Sequence, residues 1–133
     1  AAYTDLIHKL GGKAMEGFYA AMATQHPYMD EASQPIRFWA TKYKTKYNDD
    51  PTVFSVYGYL IIDGFIRVAE KVGPSLTTDS FIKAMDGMSF PSDIFGSAAA
   101  NYTANKRLGS NASRLSQIQD GRWKVMSDYV TGQ

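Results

Sequence analysis

Cysteine is absent from the 133 residues, and with it go a disulfide scaffold, a thiolate metal site and a thiol nucleophile. Histidine is scarce. His8 and His26 stand in unrelated contexts, neither at ligand spacing from a carboxylate, and both read as surface residues. His26 reads as the more exposed, because Pro27 forces it towards extended backbone in a loop. A dominant charge is missing as well: 14 Lys and Arg against 13 Asp and Glu leave a formal net charge of +1, too weak a field to imply nucleic acid or an anionic membrane as partner. The run Lys42-Tyr43-Lys44-Thr45-Lys46-Tyr47 reads as one wet helix face beside one buried face. Asp63, Arg67, Glu70 and Lys71 keep every uncharged run well below the ~18–20 residues that a bilayer requires. No signal peptide is recognised at Ala1-Ala2-Tyr3-Thr4-Asp5, which reads as the inside of a folded protein and as a piece of something longer.

What is present centres on Pro51 to Pro74. Tyr57, Leu60, Ile61, Gly64, Phe65, Val68, Ala69 and Val72 recur at spacings of three and four, which predicts a helix burying them on one wide face. Gly73-Pro74 is its stop signal. Strand competes at the front, where Val53, Phe54, Val56, Tyr57 and Tyr59 are β-branched or aromatic, but the run exceeds an ordinary strand. Such a helix needs partners on nearly all sides.

In chain order, Leu6, Ile7 and Leu10 predict a helix end stopped by Gly11-Gly12. The apolar stretch 16–23 predicts a buried strand, and 24–28 a loop. Pro35 suits the first turn of a helix running to about Tyr47, with Ile36, Trp39, Ala40, Tyr43 and Tyr47 on one face. Thr77-Thr78-Asp79 offers an N-cap to a short helix carrying Phe81, Ile82 and Met85. Extended pieces are expected within 90–96 and 98–103, then Asn-rich turns. Asp120-Gly121, between alternating segments, is a strong β-hairpin signal. Helix, strand, three helices and late strands give an α/β chain that looks α+β in isolation, with too little sheet to cover its helices.

Chemistry is sparse. The adjacent carboxylates Asp30-Glu31 and Asp49-Asp50 sit at helix starts, where capping explains them; no serine occupies a nucleophile elbow, and Gly11-Gly12 makes no phosphate loop. No catalytic residue, metal ligand or cofactor is therefore expected. Phe54, Ser55, Tyr57 and Tyr59 gather at the N-terminal end of the central helix, where a ligand could meet rings, hydroxyls and unpaired N–H groups. Packing of these rings in the core is the competing reading, as it is for Trp39 and Trp123.

Glu16-Gly17-Phe18-Tyr19, the helix with Phe38, Tyr43 and Tyr47, then Asp50-Pro51, Tyr57-Gly58-Tyr59-Leu60, Phe81-Ile82-Lys83-Ala84-Met85 and Gln119-Asp120-Gly121-Arg122-Trp123-Lys124-Val125 with Ser127-Asp128-Tyr129-Val130 resemble, in that order, the C-terminal third of the type I periplasmic solute-binding proteins. The nearest group is the Leu/Ile/Val-type receptors of ABC importers, and the likeness covers nearly the whole chain. Tyr57-Gly58-Tyr59 stands where many members carry Tyr-Asp-Ala. The resemblance implies a partial fold of two α/β lobes closing around a solute: 16–23 as a crossing strand, 31–90 as one lobe's helical block, 92–103 as a return crossing, and 112–133 as the other lobe's hairpin. It implies a binding role rather than catalysis, with Phe54, Ser55 and Tyr57 as this chain's share of the ligand shell. The implied partners are a small solute such as a branched-chain or other amino acid or an aromatic acid, the membrane subunits of an ABC transporter, and either the N-terminal remainder of the protein or a second copy covering the helix. The implied location is the periplasm, or, in a Gram-positive cell, an extracytoplasmic, membrane-associated one. A ligand-sensing domain of the same fold is the alternative.

Overall fold

A computed structural model describes residues 2–132. The order of elements is α1 (Leu6–Gly11), β1 (Tyr19–Met22), α2 (Gln34–Tyr47), α3 (Val53–Val72), α4 (Thr78–Met85), β2 (Ser89–Phe90), β3 (Ala100–Asn101), β4 (Ala112–Gln119), β5 (Arg122–Val125) and β6 (Val130–Thr131). The expected succession of helix, strand, three helices and late strands is therefore observed. The helix at the N-terminus ends at the glycine pair as expected, with Gly12 as its C-cap at φ 55°, and a 3-10 turn over Gly12–Met15 follows.

The main sheet is antiparallel, with β4 central between β1 and β5 and β6 pairing with the start of β4. Tyr19 faces Gln117 and Met22 faces Arg114, while Ile118 faces Trp123. Because side chains alternate along a strand, this register sends Ala20, Met22, Ser116, Ile118 and Trp123 to one buried face. The β4–β5 turn has both central residues at positive φ, Asp120 at 54° and Gly121 at 71°, as a type I′ hairpin demands. Glu16 holds it from outside: its two carboxylate oxygens accept the N–H groups of Asp120, at 2.7 Å, and Gly121, at 3.3 Å. A short second sheet pairs β2 with β3.

Helix α3 is the longest element, at 20 residues. Ser55 Oγ accepts the Thr52 N–H at 3.1 Å and so occupies one of the groups left open at the helix start. The acidic pairs thus do not cap as the sequence suggests. Asp50 pairs with Lys44 and Asp30 with Arg122, because a hydroxyl residue stands at the helix start itself and leaves the carboxylates to cations.

Two small cores meet at the first turns of α3. Val53 packs with Tyr3, Ala20, Met22, Ile118 and Trp123 over the sheet. Val56, one turn later, packs with Ile36 of α2 and Phe95. Phe95 is fully buried and stands edge-on to Trp39 and Tyr59, with ring centroids 5.0 and 6.0 Å away. Beyond Leu60 the cover thins. Val68 is buried, but Ile61 and Phe65, expected on the wide buried face, are 69% and 51% exposed, and Ile62 and Ile66 are exposed beside them. The reason is lack of partners among the described residues: α4 stacks Phe81 on Phe65 at 5.2 Å, while Ile61, Ile62 and Ile66 stay exposed. Phe95→Ala in the 133-residue chain is expected to cost about 3–5 kcal/mol, whereas Phe65→Ala, whose ring is already half wet, should cost under about 1 kcal/mol. Urea unfolding of both variants checks this contrast.

Candidate functional site

Helical geometry decides what the start of α3 offers. With Val53, Val56 and Tyr57 turned inward, the positions between them turn outward. Phe54 is accordingly 54% exposed, and Ser55 and Tyr57 are half-buried. Phe54 and Tyr57 sit edge to face with centroids 6.1 Å apart. Ser55 accepts a hydrogen bond within the helix start and keeps its own O–H to give. Sequence reasoning thus places these three residues together, and the structure does so too.

Tyr57 has neighbours on both sides. Inward it packs against the core cluster of Tyr3 and Trp123, and burial raises its hydroxyl pKa above the ordinary phenol value. Outward it lines a groove of about 660 Å³ between α3, α4 and residues 90–102, walled mainly by apolar groups such as Leu60, Gly64, Phe81 and Tyr102. Asp63 and Arg67, paired at 2.7 Å, stand at that groove. Phe54 and Ser55 lie outside it.

An aromatic cluster that sequence reasoning misses lies beneath Tyr57. Tyr3 is buried, its ring 5.0 Å from Trp123, and its hydroxyl accepts the His26 N–H at 2.9 Å. Burial drives its pKa well above the ordinary phenol range. Trp123 donates Nε1–H to the Thr4 carbonyl at 3.1 Å, and its backbone N–H goes to the Tyr28 hydroxyl at 2.7 Å. The Arg122 guanidinium lies over the Tyr28 ring at 4.1 Å and pairs with Asp30 at 2.7 Å. Partners some 95 to 119 residues apart carry no local sequence signal.

His26 corrects the expectation of a surface histidine. It is 5% exposed, its ring 4.2 Å from that of Tyr28, because the bond from its backbone N–H to the Tyr3 hydroxyl holds this loop against the sheet core. Burial lowers its pKa to about 4. His8 is half-buried, edge-on to Trp123, and burial lowers its pKa too. Burial also opposes charge on Asp5, but the Lys9 ammonium bonded to it outweighs this and holds the carboxyl below its usual range. No group of three or more metal-ligating side chains occurs among the described residues, and no helix among them is long and apolar enough to cross a membrane.

The family model described as periplasmic binding protein matches residues 1–122. The chain belongs to this family. Among solved structures, a branched-chain amino acid ABC transporter protein from Thermus thermophilus with bound valine superposes with a TM-score of 0.75 at 20% identity, over 97% of this chain and 37% of that one. A leucine-binding protein from Thermotoga maritima gives 0.68 at 16%, over 96% and 34%. A solute-binding protein of an ABC transporter from Rhodopseudomonas palustris, in complex with benzoate, gives 0.66 at 17%, over 96% and 34%. No curated protein matches the sequence. The fold is thus the type I periplasmic-binding-protein fold in part: the chain spans about a third of the length of the structures it resembles.

The buried His26 gives the site a pH dependence. A folded-state pKa near 4 against an ordinary 6.5 means that the unfolded chain binds the extra proton first. Stability is therefore complete above about pH 6.5 and falls as pH drops towards 4, by about 2–3 kcal/mol at pH 4.5. His8 adds a smaller change of the same sign, whereas the loss tied to Asp5 lies below its ordinary value of 3.8. Urea unfolding at pH 7 and 4.5 should show this loss, and His26→Gln should remove most of it.

Proposed function

We propose that this chain forms part of an extracytoplasmic solute receptor of an ABC importer, which holds a small molecule between two lobes and closes on it as a hinge, without catalysis. Family membership carries the reading, and the apolar stripe of α3 agrees with it. Gly58, Ile61, Ile62 and Phe65 form a face that needs a sheet, and structures of this family run to nearly three times the chain's length. In this reading the remainder of the same polypeptide supplies that cover. Segment 16–23 crosses between lobes, 31–90 is the helical block of one, 92–103 leads back, and 112–133 belongs to the other. The membrane subunits of the importer are the protein partners and the periplasm is the compartment.

Phe54, Ser55 and Tyr57 are this chain's share of the ligand shell. The rings give an apolar wall, and the Ser55 hydroxyl gives one hydrogen bond. The solute class follows the complexes of similar structures, with valine, benzoate and 3,4-dihydroxybenzoic acid as first candidates. Thermal unfolding of the whole receptor polypeptide against these solutes is the test. A saturable rise in Tm is expected, since only folded receptor binds; a flat response across branched-chain amino acids, aromatic acids and small amides rejects the reading. Where a solute binds, Phe54→Ala and Tyr57→Ala should each weaken it about tenfold, read by calorimetry. Unchanged affinity in both variants would move the ligand shell elsewhere while leaving the receptor role intact.

A further inference from the structure

No further inference is drawn: the strongest candidate, the apolar groove between α3, α4 and residues 90–102, belongs to the face of α3 already assigned to the remainder of the receptor, and nothing in the structure shows another occupant for it.

Discussion

The organising constraint is the apolar surface of one helix. Helix α3 carries aliphatic and aromatic groups around most of its circumference, and each such side chain is worth roughly 1.5–3 kcal/mol when removed from water. The described residues supply that removal fully at the first turns and, further along, at Val68. Val53 and Val56 are fully buried where sheet, α2 and Phe95 converge, while Ile61, Ile62, Phe65 and Ile66 face solvent. A run of four exposed large apolar groups on successive turns exceeds what scattered surface residues explain, and marks a face built for contact. Everything else in the chain is arranged about this difference: two compact cores at the start of α3, one light brace from α4 near its end, and a wet stripe between them.

Val53 belongs to the sheet core and Val56 to the helical core, so the first turn of α3 is shared between them and ties one to the other. Phe95 is locked among Trp39, Tyr59 and Val56, and the carbonyl of the adjoining Gly96 accepts the Tyr129 hydroxyl. Gly96 takes a positive φ of 67°, which glycine adopts at little cost.

Elements with strong local signals were legible in the sequence, and their surroundings were not. The 3.6-residue period, Gly73-Pro74 and Asp120-Gly121 gave α3 and the hairpin closely, since these signals act through backbone conformation within a few residues. The order of loose motifs also pointed to the family. The fate of Ile61 and Phe65 was not legible: periodicity states which face is apolar, whereas exposure depends on what lies opposite. His26 was misread for a related reason. Pro27 implies extended backbone but leaves open what the side chain meets, and the contacts that bury the imidazole, with Tyr28 and beside the Tyr3 hydroxyl, carry no local signal. At the candidate site, the proximity of Phe54, Ser55 and Tyr57 follows from helical spacing, while the Tyr3, Tyr28 and Trp123 layer beneath them depends on pairings across almost the full chain.

The buried face of the sheet is held in two ways. Ala20, Met22, Ile118 and Trp123 pack without preferred direction and gain from every contact. Thr24 and His26, past the end of β1, are buried as well, and the His26 N–H is held by a directional bond to the Tyr3 hydroxyl. A buried polar group contributes only while its partner is in place, so the apolar set gives this core its strength and the polar set fixes its arrangement.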